Sequence, residues 1–133
     1  MSENLYMSRI LRYGDIVRHF KRELINEELE DPMLYYYMVI SKATHTETKE
    51  KFVIYQALYN NDEMNVHMDC YARPLNMFFS EVDHEKYPNI KQKYRFERIE
   101  GEEKTKVLKY MLKNACLKNM DSESINNADK PCI

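Results

Sequence analysis

FVIYQALY, residues 52–59, is the stretch on which the fold turns. On a two-residue period, Val53, Tyr55, Ala57 and Tyr59 share one face, and Phe52, Ile54, Gln56 and Leu58 share the other. That alternation predicts a strand. It leaves two roles for the tyrosine face. It is either a core wall whose hydroxyls reach a wet rim, or a surface built to hold something. Large aromatic side chains dominate small cores, so Tyr55 is expected to be core.

Working outward, MLYYYMVISKATH (33–45) reads as the preceding strand, with Tyr37, Val39, Ser41, Ala43 and His45 on one side. Ser41 and Ala43 are small, so Tyr55 and Tyr59 are expected to fill the space above them. THTETKE (44–50) is a polar turn without glycine, and NNDEM (60–64) is a turn rich in Asn and Asp. DIVRHFKREL (15–24) alternates as a first strand. ELINEELEDP reads as a loop or short helix punctuated by Pro32. NVHMDCYAR (65–73) is a fourth strand closed by Pro74, which cannot donate to a ladder. PLNMFFSEV (74–82) is a helical turn burying Leu75, Phe78 and Val82, and KYRFERI (93–99) is a short fifth strand.

After Gly101 the period changes. Val107, Leu108, Met111, Leu112 and Ala115 fall at helical spacing, with Glu102 and Glu103 in the first turn as the helix dipole favours. The expected layout is a lead-in over 1–13, a β domain over 14–100, a helix over 101–120 and a disordered polar tail over 121–133. Short strands joined mostly by tight turns predict a mainly β fold, either a small barrel or a strongly curved antiparallel sheet of about five strands. The helix must then cover a mouth of that sheet, or pair over 102–119 with a second copy to make a homodimer.

The totals narrow the function classes. The 133 residues, with a net charge of −2, suit one domain with a modest core and carry no bulk signal for nucleic acid or anionic membrane. MSENLYMSRILRY lacks an apolar leader core, and no apolar run approaches a membrane span. Cys70, Cys116 and Cys132 are odd in number and widely spaced, which fits free thiols and a cytoplasmic location. The histidines and cysteines lack metal-ligand spacing, with His67 and His84 reading as solvated, and two glycines leave little for a phosphate loop. No metal and no cofactor is expected. Cys70, without a neighbouring cation or helix N-terminus, reads as buried and inert.

The ordered set RHFK (18–21), ATHTETKEKFVIYQALY (43–59), ARPLNMF (72–78) and YRF (94–96) resembles domain-of-unknown-function family 1653 over roughly residues 14–99. These are small bacterial proteins with an SH3-like barrel, and the resemblance implies that fold. It marks Arg18, His19, Phe20 and Lys21; Ala43, His45, Glu47 and Thr48; Tyr55, Ala57, Leu58 and Tyr59; and Arg73, Pro74, Met77 and Phe78. It implies no reaction. The chain departs from the pattern at Arg22 with the acidic insertion after it, at Asn60, and beyond residue 100.

Three readings follow. A binding or interaction module is favoured over an enzyme, with His19, Lys21, His45, Tyr55, Tyr59 and Arg73 as candidate lining for an anionic or planar ligand. The alternative is a small hydrolase or ligand-processing enzyme using His19, His45 and Arg73. The plainer roles are an ion pair from Arg73 to Glu47 or Asp15, and a turn-fixing hydrogen bond at His45. The third reading is nucleic-acid binding. Residues 91–113 hold eight basic and four acidic residues, and Lys91, Lys93, Tyr94, Arg95 and Phe96 interleave charge with rings. Against it, the acidic stretch 21–31 could neutralise that patch.

Overall fold

A computed structural model describes residues 10–120 of the chain, and side chains as far as Lys113. The elements run β1 (Ile16–His19), a 3₁₀ turn (Phe20–Leu24), β2 (Tyr36–Thr44), β3 (Lys51–Ala57), β4 (Asn60–Asn61), β5 (Val66–His67), β6 (Cys70–Pro74), α1 (Leu75–Phe78), β7 (Phe96–Arg98) and α2 (Gly101–Met120). The chain forms two compact units that part between Ile99 and Glu100. The first carries every strand. The second carries α2, on which Leu108 and Leu112 are exposed. The expected tail, 121–133, and the first nine residues of the expected lead-in lie outside the described residues.

The first unit is a five-stranded antiparallel sheet in the order β6-β3-β2-β1-β7, with β4 and β5 as a separate two-stranded hairpin. The mainly β fold and the curved-sheet alternative therefore hold. The sheet does not close into a barrel. Its end strands β6 and β7 do not pair, because Pro74 stops β6 and the chain turns straight into α1. The return to β7 runs along the sheet end, where Val82 N–H donates to the Lys93 carbonyl at 2.8 Å and Arg95 N–H to that of Ser80 at 2.9 Å.

The face of FVIYQALY is core. Val53, Tyr55, Ala57 and Tyr59 are all buried, as the alternation required. Tyr55 packs its ring against Phe78 and Phe96, both at 5.2 Å between centroids. Phe78 and Phe96 stack at 4.3 Å. Rings at these separations add attraction beyond their buried area. A second cluster joins Phe20, Val82 and Ile90, with Tyr87 against it.

Four sequence expectations need correction. First, the face shared by Tyr37 and Val39 does not continue to Ser41, Ala43 and His45. Val39 pairs with Tyr55, yet Ser41 pairs with Ile54, so a bulge at Ile40 puts two residues opposite one. The bulge turns Ser41 and Ala43 to the face of Ile54 and Phe52, and the tyrosines do not lie over them. Second, DIVRHFKREL leaves the sheet after His19. The His19 Nδ1 accepts the Lys21 N–H at 3.1 Å, capping a 3₁₀ turn in place of further ladder. Third, NVHMDCYAR is two strands, broken at Met68, whose φ of 52° is left-handed and cannot sit in a strand. Cys70 is also exposed rather than buried, since it lies on the edge strand.

Candidate functional site

A cavity of about 230 Å³ opens within the first unit. Water occupies roughly 30 Å³ per molecule in the liquid, so about eight waters would fill it. Three levels of the fold supply its walls. The end of β1 and the 3₁₀ turn supply His19 and Lys21; β2 and β3 supply Tyr37 and Tyr55; and Tyr59, Tyr71, Arg73 and Phe96 close the sides. Tyr35 enters from the lead into β2, and Met64 and Val66 from the β4–β5 hairpin. No Asp or Glu is among the lining residues.

Local backbone geometry explains how these groups meet. The 3₁₀ turn ends the ladder after His19, which frees Lys21 from strand alternation. Tyr35 has φ 70°, unusual for an aromatic residue and of the kind that persists only where the surroundings enforce it. Its carbonyl accepts the His19 N–H at 3.0 Å, and its ring lies 5.8 Å from His19 and 6.1 Å from Tyr59. Tyr71 stands opposite Tyr55 across the β3–β6 pairing, and Arg73 opposite Val53.

The hydrogen bonds fix the polarity of the walls. His19 is 8% exposed, and its pKa is lowered to about 3 by burial, then by the positive charges of Lys21, Arg73 and Arg95. The imidazole is therefore neutral. Because Nδ1 accepts the Lys21 N–H, the ring proton sits on Nε2. Nε2 has no partner among the described residues, and no side-chain N or O there is both buried and partnerless, so Nε2 reaches solvent. Arg73 donates through Nε to the Tyr55 hydroxyl at 3.0 Å and lies over the Phe96 ring at 5.7 Å. Its guanidinium meets no carboxylate among the described residues, and neither does the Lys21 ammonium. Arg95 stands near enough to Arg73 that burial, then that like charge, lowers its pKa.

The Tyr37 and Tyr59 hydroxyls share one hydrogen bond at 2.6 Å. Burial raises both pKa values. The shared bond raises Tyr37 further and opposes the rise at Tyr59, which reaches about 12. Both phenols are neutral at physiological pH, and whichever donates, the other keeps a proton for a visitor. Glu30 and Asp69 are close enough to raise Tyr35 and Tyr71, after burial, but neither lines the cavity.

Of the six residues marked in the sequence as ligand candidates, His19, Lys21, Tyr55, Tyr59 and Arg73 meet in this cavity and His45 does not. His45 is exposed in the β2–β3 turn, where Nδ1 accepts the Glu47 and Thr48 N–H groups, both at 3.2 Å. Arg73 pairs with neither Glu47 nor Asp15, whose carboxylate faces Arg98 at 3.8 Å. The basic segment is partly engaged. Lys93 faces Glu81 at 3.9 Å, and Arg95 donates to the Ser80 hydroxyl at 3.2 Å. Glu23 from the acidic stretch accepts the Lys91 and Gln92 N–H groups at 2.9 and 2.8 Å, so the two stretches do meet. Phe96 is buried and faces the core and the cavity.

Sequence reasoning did not mark Tyr35, Tyr37, Tyr71, Met64 or Val66 as lining. For Tyr37 a signal existed: it alternates with Val39, which pairs with Tyr55 across β2 and β3. Met64 and Val66 enter through the hairpin and left no such trace.

An open antiparallel sheet whose end holds a tyrosine-walled, cation-bearing cavity defines the class. Residues 15–98 match the family described as protein of unknown function (DUF1653), and the chain belongs to that family. No curated protein and no solved structure matches the chain significantly. Among the described residues, no helix is long and apolar enough to cross a membrane.

Proposed function

We propose that this protein is a binding module whose cavity takes a small anion. The observation that carries the reading is the pair Lys21 and Arg73, two cations lining a tyrosine-walled cavity with no carboxylate among its lining. A ring of tyrosines alone would equally suit a cationic guest, through attraction worth roughly 0.5–2 kcal/mol. The charges decide against it. At ~6 Å and an effective dielectric of ~20, each protein cation changes the energy of a ligand charge by about 3 kcal/mol. Even halved by solvent, two such terms outweigh the contribution of any one ring. The neutral His19 Nε2–H adds a donor without adding a charge.

The walls favour holding over reacting. A His with a pKa near 3 is mismatched to proton transfer at neutral pH, where a useful general base sits near 7. Its Nδ1 accepts a backbone N–H rather than donating to an orienting carboxylate, and no Ser, Thr or Cys lines the cavity for it to activate.

The test is amide and side-chain NMR of the isotope-labelled full chain, titrated with acetate and with phosphate, on wild type and on Arg73→Lys and Arg73→Gln. Saturable shifts confined to His19, Lys21 and Arg73 are expected in wild type. They are lost in the glutamine variant and weakened in the lysine variant, which lacks the fork. Variants that stay folded and respond like wild type would overturn the reading.

A further inference from the structure

We infer that the occupant of this cavity is a planar aromatic or heteroaromatic monocarboxylate of roughly eight to twelve non-hydrogen atoms. This deepens the anion-binding reading and rests on it. Three features of the cavity lead to it, one for size, one for shape and one for the head group.

Size comes first. A volume of about 230 Å³ corresponds to about eight waters, well beyond a bare inorganic anion. Anion-binding groups alone leave most of it unexplained. The remainder is walled by rings: Tyr37 stands edge-on to Tyr55 at 5.3 Å, to Tyr59 at 5.6 Å and to Phe96 at 5.7 Å. Aromatic neighbours arranged this way accept a further ring in edge or offset contact more favourably than an aliphatic body of equal size. Met64 and Val66 from the hairpin are the only aliphatic side chains among the lining residues.

The head group follows from which donors are present. Phosphate sites are commonly cradled by clustered backbone N–H groups at helix N-termini or in anion-binding loops. Here the walls are mostly strands rather than a helix N-terminus or an anion-binding loop, and the His19 and Lys21 N–H groups are taken by the Tyr35 carbonyl and by His19 Nδ1. The donors that remain are side chains. Arg73 gives its Nε to Tyr55, which fixes the guanidinium plane and leaves the two Nη groups as a planar fork. That fork matches the two oxygens of a carboxylate. Lys21 supplies the second charge and His19 Nε2–H a neutral donor. The Tyr37–Tyr59 pair offers one proton and free lone pairs to a polar substituent or ring nitrogen of the same ligand.

The experiment is calorimetric titration of the full chain with benzoate, cyclohexanecarboxylate, benzamide and phosphate, repeated on Arg73→Gln and backed by NMR shifts at His19 and Arg73. Benzoate is expected to bind at the cavity at least tenfold more tightly than cyclohexanecarboxylate or benzamide, and more tightly than phosphate. Arg73→Gln is expected to erase the preference for benzoate over benzamide while leaving ring contacts that bind both weakly. Equal affinity for benzoate and cyclohexanecarboxylate, or tighter binding of phosphate, would overturn this inference and leave the anion reading standing. Equal affinity for benzoate and benzamide in wild type, or no anion bound at the cavity at all, would overturn the anion reading itself.

Discussion

Acidification should destabilise this fold through one residue, His19. Folding lowers its pKa from 6.5 to about 3, so the unfolded chain takes up the proton first as the pH falls. The stability that the neutral imidazole contributes is intact above about 6.5 and is lost progressively down to about 3. Between pH 7.0 and 4.5 the two titration curves differ by an integrated free energy of roughly 2–3 kcal/mol. That is a large share of the 5–15 kcal/mol typical of a whole domain. The cause is physical and local: the ring is buried against Phe20 and Phe96 and faces Lys21, Arg73 and Arg95. The assay is urea unfolding of wild type and His19→Asn at both pH values. Asparagine carries an acceptor suited to a turn cap but does not titrate. Its own packing penalty is common to both conditions and cancels. Wild type should lose roughly 2–3 kcal/mol more than the variant on acidification. Parallel losses would refute the reasoning, since they would place His19 in a solvated or paired setting.

Three further substitutions, at two residues, probe the framework. Tyr55→Ala should cost about 3–5 kcal/mol by chemical denaturation, because its ring packs on Phe78 and Phe96. Tyr55→Phe should cost about 1 kcal/mol, the loss of one acceptor for a half-buried Arg73; an alanine variant as stable as wild type would reject the core assignment. Gln92→Leu should cost about 2–3 kcal/mol, since buried Gln92 donates to the Arg18 and Tyr94 carbonyls at 3.0 and 2.9 Å and accepts from Arg18 Nε at 2.9 Å. An unchanged unfolding midpoint there would show that water replaces all three bonds.

The strand alternation of FVIYQALY was legible because burial on one face imposes a period of two that survives in the residues themselves. Of the six ligand candidates that the family resemblance and the spacing marked, five line the cavity. What the sequence hid were breaks in that period. The bulge at Ile40 carries no glycine and no proline, yet it turns Ser41, Ala43 and His45 away from the tyrosines. Met68 adopts a left-handed φ that its side chain does not advertise. His19 looked like one more strand residue. Its role as the cap of a 3₁₀ turn depends on Nδ1 finding the Lys21 N–H, a contact between neighbours that alternation cannot express. The same turn sends Lys21 to the cavity. Closure of the sheet was the point that the sequence left open. Strand count alone could not say whether β6 and β7 meet, and the turn from Pro74 into α1 keeps them apart.

The central claim is that an uncompensated positive cavity lies between Lys21 and Arg73. A crystal of the full chain soaked in bromide and measured at the bromine absorption edge tests it directly, because an anomalous peak reports an anion without assuming its identity. The expected result is a peak inside the cavity, within hydrogen-bonding reach of the Arg73 Nη groups or the Lys21 ammonium. Bromide bound only elsewhere on the surface, with a carboxylate of the chain resting on Arg73, would contradict the account.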